Sequence, residues 1–200
     1  FAALARRLSA AGFSGIEWAC GIPGSLGGAV VSNAGAYGAS LADVLKTVRL
    51  GDAKGNVIEL PAQDLAMSYR SSALASGALG DHVVLSVDLR LSKGDAATLR
   101  AKLREMDKQR KATQPPGRNC GSVFKNPPDH PAWWYVDQAG LRGYRIGGAQ
   151  FSELHANFIL NLGNASARDI RSLIELAQAK VKERFGITLE TEVVMVGEFA

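Results

Sequence analysis

The sequence predicts an α+β fold, and three observations carry that expectation. Apolar residues recur at helical spacing near the start, over 95–111 and from 166 onward. Over 82–91 they alternate with period 2, the pattern of a half-buried strand. The two kinds of segment follow one another irregularly, without a regular βαβ repeat.

Residues 1–11 read as a helix, with Phe1, Leu4 and Leu8 on one face and Gly12 as its stop. Residues 21–38, GIPGSLGGAVVSNAGAYG, break every periodicity and read as a loop or chain of turns. Residues 43–50 and 56–60 read as strands around the turn Gly51–Gly55. In 82–91, Val83, Leu85, Val87, Leu89 and Leu91 face one way, and His82, Ser86, Asp88 and Arg90 the other. Residues 95–111 form a long helix capped by Asp95, with Leu99, Leu103 and Met106 as its apolar stripe. Pro115-Pro116-Gly117 makes a stiff break, and the domain boundary is expected near it, giving domains 1–112 and 113–200. An irregular stretch over 118–131 and mixed structure to 150 lead to a short strand, 156–161. The last helix starts at Ser166, whose capping box closes with Asp169. It buries Ile170, Leu173, Ile174, Ala177, Val181 and Phe185, and ends at Gly186. A final strand is expected over 187–197.

Composition narrows the function classes. With 46% apolar and 21% charged residues the chain is no disordered protein. No apolar run approaches the ~18–20 residues of a membrane helix. Cys20 and Cys120 make neither a disulfide scaffold nor a CxxC metal site, and His82, His130 and His155 lack zinc-site spacing, so no metal is expected. The formal charge of +4 suits ordinary solubility better than a nucleic-acid surface, because no aromatic platform interleaves with the basic cluster Lys102–Arg118. A mildly positive cleft for an anionic small molecule stays open as an alternative.

Several segments have residue types that suit chemistry, each with a plainer reading beside it. In 21–38, close glycines let backbone N–H groups approach a phosphate or a flat ring, although neither GxGxxG nor GxxxxGK[ST] is present; a glycine-rich turn is equally open. In SYRSS, Arg70 can fork a carboxylate or phosphate, or be a surface arginine. In CGSVFKNPP, Ser122 lacks the GxSxG elbow of a nucleophile; it can donate or relay a proton, or cap its own turn. Cys120 reads as an inert thiol. In LETEV, Glu190 and Glu192 lie two apart, on one strand face, as surface carboxylates often do. Trp133-Trp134-Tyr135 reads as a packing patch.

The order of these segments is more specific than any one of them. GIPGSLGGAVVSNAGAYG, SYRSS, GSVFKNP, GLRGYRIGGAQFSELHANFILN and FGITLETEV together closely resemble the UDP-N-acetylenolpyruvoylglucosamine reductase family, from about Gly21 to Gly197. The chain is similar to the shorter form of that family, without the extra tyrosine-bearing loop.

That resemblance implies a fold and a chemistry. The fold is the second subdomain of a two-subdomain, vanillyl-alcohol-oxidase-like FAD-binding fold, followed by a small α+β substrate-binding domain. The chain starts at Phe1 without an initiator Met, and the first FAD subdomain has no counterpart in it, so a longer polypeptide is expected. Implied cofactors are FAD and NADPH; the implied substrate is UDP-N-acetylglucosamine enolpyruvate, reduced to UDP-N-acetylmuramate for bacterial peptidoglycan. The expected setting is cytoplasmic, with no nucleic acid or membrane as partner. Arg70 and Glu192 match residues that stabilise the enolate-like intermediate, and Glu192 needs a proton or a bridging donor to do so. Ser122 matches the proton donor to the α-carbon. Gly21, Ile22, Gly24, Ser25 and Gly28 are the implied flavin contacts. Asn126 matches a substrate-orienting residue, Tyr69 packs beside the ring or substrate, Arg142 faces the diphosphate where lysine is usual, and His155 in HANF adds a polar contact. Thr113 stands where some members carry a lysine; Lys111 and Arg110 are the nearest cations. Two rivals remain: another flavin oxidoreductase of the same fold acting on an alcohol or amine, and a catalytically silent nucleotide-sugar-binding module.

Overall fold

The computed structural model describes residues 1–198. It divides into two compact units, Phe1–Arg110 and Lys111–Ala200, each with its own core.

Unit 1 opens with α1 (Ala2–Ala10), a two-residue strand β1 (Phe13–Ser14) and a 3-10 turn over Glu17–Gly21. The helix buries Ala5 and Ser9 completely, while Phe1, Leu4 and Leu8, the predicted face, are only half-buried. Small side chains let the helix axis approach the 3-10 turn closely, which rotates the larger ones to the rim. The glycine-rich segment, predicted as turns throughout, contains α2 (Leu26–Val31) and a hairpin of β2 (Gly35–Ala36) and β3 (Ala39–Ser40). Local capping explains the helix despite its two glycines. Ser25 Oγ accepts the Gly28 N–H at 3.0 Å, and Ala29 and Val30 are buried. At Gly35 a Cβ would lie 2.6 Å from the Ala39 carbonyl oxygen, so the hairpin closes only over glycine.

The sheet of unit 1 has β4 (Leu45–Gly51) at its centre, flanked antiparallel by β5 (Val57–Pro61) and β6 (Val83–Leu89). The turn between β4 and β5 is held by Asp52, whose Oδ1 accepts the N–H groups of Lys54 and Asn56, both at 2.8 Å. The alternation predicted for 82–91 does not run through unbroken. Arg49 pairs with Ser86 but Leu50 pairs with Val84, so Leu85 is the extra residue of a bulge. Beyond it the faces exchange. Val83 and Leu85 are exposed, at 61% and 53%, while Val84, Val87 and Leu89 pack on the core of Ile16, Val48, Leu50 and Leu65. The short strand β7 (Ser92–Lys93) pairs with β1. Then α3 (Ala96–Thr113) begins behind Asp95, whose Oδ2 accepts the Thr98 N–H at 2.7 Å; Leu99 and Leu103 are its buried residues and Met106 is half-buried.

Unit 2 contains α4 (Ala132–Gln138), a three-stranded antiparallel sheet of β8 (Arg145–Ile146), β9 (Ala149–Phe151) and β10 (Ile159–Asn161), and α5 (Ala167–Phe185). The aromatic run 133–135 is helical, and Trp134 and Tyr135 pack against Phe185 as the packing reading expects. Helix α5 starts and stops as predicted: Ser166 and Asp169 form the capping box, and Gly186 ends it at φ 71°. Asp169 also accepts the Gly148 N–H at 3.1 Å. A Cβ on Gly148 would lie 2.5 Å from Ala165 N, so this glycine is explained by close approach to the helix start.

The predicted strand over 187–197 is not formed among the described residues. Phe124 and Thr191 make one isolated bridge, with Lys125 N–H donating to the Glu190 carbonyl and Glu192 N–H to the Val123 carbonyl, each at 2.8 Å. Beyond it Val194 and Val196 are 85% exposed. Alternating valines make a strand only where a neighbouring backbone supplies the ladder.

Candidate active site

In unit 2, residues 118–124 run alongside β10, through bridges Arg118–Asn161 and Ser122–Phe158. The segment is locked by Asn157, buried to 2% exposure. The Val123 N–H donates to the Asn157 carbonyl at 2.8 Å. The Asn157 side chain then treats Phe124 as a strand partner: Oδ1 accepts its N–H at 2.9 Å and Nδ2 donates to its carbonyl at 2.8 Å. On the other side, the Val123 carbonyl accepts the Glu192 N–H. Ser122 and Glu192 are thereby carried by one hydrogen-bonded framework.

Both residues line one pocket of about 590 Å³. Ile170 and Ile174 of α5 and Val193 supply apolar wall, and Arg171 and Cys120 also line it. Cys120 is an exposed residue, and partial desolvation pushes its thiol above the usual range. Glu190 is separated in role from Glu192. It is 71% exposed and its Oε1 lies 2.7 Å from Lys125 Nζ, an external ion pair.

Asn126, Arg142 and His155 do not line that pocket. Asn126 Oδ1 accepts the Ala132 N–H at 3.0 Å, satisfying the first turn of α4. Arg142 donates from Nε to Asp137 and from Nη1 to the Glu153 carbonyl, each at 2.6 Å. His155 is half-buried, edge-on to Phe158 and to the exposed Trp133, and its Nδ1 accepts the Asn157 N–H at 3.3 Å. Burial lowers the imidazole pKa, and the Arg142 charge lowers it further.

In unit 1, Arg70 sits at a tight turn closed by mutual bonds between Ser68 and Ser71, and it adopts φ 52°, uncommon for a residue with a side chain. Its guanidinium donates to the Gly35 carbonyl at 3.2 Å and lies 5.3 Å from the centre of the exposed Tyr69 ring. Of the implied flavin contacts, Gly24, Ser25 and Gly28 are exposed, and Gly24 turns at φ 93° with open space where a Cβ would stand. The Gly28 N–H is taken by Ser25 Oγ, and the Gly28 carbonyl accepts the Ser32 N–H and hydroxyl. Ile22 is half-buried against the core. At Gly21 a Cβ would meet the Arg110 side chain. Among the described residues no three His, Cys, Asp or Glu side chains gather as a metal site, and no helix is long and apolar enough to cross a membrane.

Sequence reasoning passed over Asn33 and Asn157, the two buried asparagines behind these loops. The loop groups they hold, the Ser68 carbonyl and the Phe124 peptide, lie 35 and 33 residues away, so no local pattern reveals these contacts.

Comparison with known proteins sets first the class. Residues 1–61 match the family model described as FAD binding domain, so unit 1 includes part of a flavin-binding fold. Residues 111–196 match the model described as UDP-N-acetylenolpyruvoylglucosamine reductase, C-terminal domain. A UDP-N-acetylenolpyruvoylglucosamine reductase of Synechococcus sp. (strain JA-3-3Ab) is 50% identical over 98% of this chain and 62% of its own length; one of Chloroflexus aurantiacus is 47% identical over 96% and 65%. The crystal structure of the reductase from Thermus caldophilus superposes with a TM-score of 0.82 at 36% identity, covering 95% of this chain and 67% of that one. The chain belongs to the UDP-N-acetylenolpyruvoylglucosamine reductase family. It spans 62% and 65% of the two curated relatives just named.

Proposed function

We propose that this chain serves an FAD-dependent reductase that converts UDP-N-acetylglucosamine enolpyruvate to UDP-N-acetylmuramate with NADPH as the electron donor. The observation that carries the reading is the shared pocket of Ser122 and Glu192, built on a chain of this family. The setting expected of such an enzyme is the cytoplasm.

FAD, when bound, supplies a two-electron carrier between NADPH and the β-carbon of the enolpyruvyl double bond. The exposed residues Gly24, Ser25 and Gly28 are proposed to hold it. Addition of hydride to the β-carbon leaves the electron pair of the double bond on the α-carbon and its carboxylate. Arg70, with a permanent charge, is the group proposed to stabilise that negative charge. Glu192 is proposed to assist through a proton or a bridging donor. Ser122 Oγ then delivers a proton to the α-carbon, completing saturation of the bond. The serine regains its proton from solvent, and NADPH ends as NADP⁺. Tyr69 is exposed beside Arg70 and suits contact with a ring. Asn126, Arg142 and His155 are proposed as substrate contacts; Arg142 keeps a positive charge while tied to Asp137.

The test is NADPH oxidation by the FAD-loaded enzyme with and without UDP-N-acetylglucosamine enolpyruvate. Substrate-dependent turnover yielding the lactyl ether is expected. NADPH oxidation indifferent to that substrate would sink the reading.

A further inference from the structure

Arg70 is held in an unusual backbone conformation, and the contacts that hold its turn converge on a neighbouring segment. We infer that Asn33 is a positioning residue for Arg70, fixing the turn from which the guanidinium projects; its bearing on catalysis rests on the reductase reading above. Asn33 is 5% exposed and itself left-handed, at φ 41°, a conformation asparagine tolerates better than most residues. Its side chain is used at both ends. Nδ2 donates to the Ser68 carbonyl at 2.9 Å, and Oδ1 accepts the Ala42 N–H at 3.0 Å.

Ser68 is the first residue of the turn that carries Arg70 as its third. Its carbonyl also accepts the Ser71 N–H at 3.2 Å, so the Asn33 amide grips the oxygen that closes the turn. Two further bonds tie the same region down. Ser72 Oγ donates to the Val31 carbonyl at 2.6 Å, and Arg70 Nη2 donates to the Gly35 carbonyl. The stretch 31–35 thus holds the Arg70 turn at its base, its exit and its guanidinium. A left-handed arginine persists only when its surroundings impose it. Ala42 gives the other end of the lever, since Asn33 Oδ1 satisfies an N–H in the first turn of the 3-10 segment Leu41–Asp43, which has no carbonyl partner of its own within that turn.

The experiment uses Asn33→Asp in the FAD-loaded enzyme. The aspartate tolerates φ 41° and keeps the acceptor for Ala42, but it sets a carboxylate against the Ser68 carbonyl. Asn33→Gly, which also tolerates the backbone, is the second variant should the first fold poorly. The expected result is loss on the order of 10–100-fold in flavin reoxidation by the enolpyruvyl substrate. Flavin reduction by NADPH should stay within about twofold, and the variant should add no further loss in an Arg70→Ala background. Equal losses in both half-reactions, or full additivity with Arg70→Ala, would overturn the inference. A readout independent of turnover is the Arg70 Nε–H NMR signal, expected to shift or broaden in Asn33→Asp. An unchanged Arg70 signal overturns the positioning role whatever the activity. A wild-type enzyme indifferent to the enolpyruvyl substrate, with the Arg70 signal still moved by Asn33→Asp, sinks the reductase reading and leaves the geometric role standing.

Discussion

The Asn157 side chain brackets the Phe124 peptide, accepting its N–H at 2.9 Å and donating to its carbonyl at 2.8 Å. Through this pair a buried side chain replaces a missing strand, and the segment carrying Ser122 is held where no regular sheet continues. Replacing Asn157 with leucine removes both bonds and leaves two polar groups without these partners. A loss of about 2–4 kcal/mol is expected in urea unfolding. A variant as stable as the wild type would mean that the Ser122 segment is held by other contacts.

Glu17 is a buried carboxylate with a fixed set of donors. Ser14 Oγ donates to it at 2.8 Å, the Gly15 N–H donates at 3.0 Å, and Lys102 Nζ lies at 3.7 Å. Burial alone would raise its pKa, but its own backbone N–H, the Ser14 and Gly15 donors and the lysine charge together hold it below its ordinary 4.5. Glu17→Ala should cost about 2–4 kcal/mol, since it strands the Ser14 and Gly15 donors. Lys102→Ala should cost under about 1 kcal/mol, because that side chain is 53% exposed. The sign of the pH effect follows from the depressed pKa. The stability Glu17 contributes is complete above its unfolded pKa and is lost as pH falls through the lower folded value. Unfolding free energies measured from about pH 6 down to about pH 3, spanning the ordinary carboxylate value of 4.5, should fall less steeply in Glu17→Gln than in the wild type. Identical slopes would contradict the assignment.

Gly148 and Gly140 test two different reasons for glycine. A Cβ on Gly148 would collide with the backbone of Asn164 and Ala165, at 2.6 and 2.5 Å. On Gly140 it would meet open space, but at φ 74°. Gly148→Ala should therefore cost about 2–3 kcal/mol and Gly140→Ala about 1 kcal/mol, read from thermal unfolding. The reverse order would mean that the α5 start can yield to the added methyl.

His155 is expected to titrate below 6.5, because burial and then Arg142 disfavour its charged form. Its contribution to stability is complete above the unfolded pKa and is lost as pH falls through the folded one. In an NMR titration, Arg142→Gln should move the midpoint upward, without restoring it fully, since burial is the larger cause. A midpoint above 6.5 in the wild type would contradict the geometry.

Much of the fold was legible because its signals are local. The last helix carries its cap, its apolar period and its stop within its own residues, from Ser166 to Gly186. Asp52 shows its turn in the same way. The misreadings share a cause, which is dependence on a distant partner. Leu85 leaves the alternating pattern only because β4 pairs around it, and the described residues after Thr191 lack a ladder that sequence alternation cannot supply. Of the site, Ser122 and Glu192 could be picked out by their motifs, and the pocket joining them came from folding. Asn33 and Asn157 were hidden because each holds a loop remote in sequence.

The central claim is that Ser122 delivers the proton that completes reduction of the enolpyruvyl group. It is tested most directly by anaerobic stopped-flow measurement of both half-reactions in the wild-type enzyme and in Ser122→Ala. Flavin reduction by NADPH should be nearly unchanged. Reoxidation by UDP-N-acetylglucosamine enolpyruvate should slow by at least about 100-fold, the scale of a lost general acid. Equal slowing of the two half-reactions, or reoxidation at the wild-type rate, would contradict it.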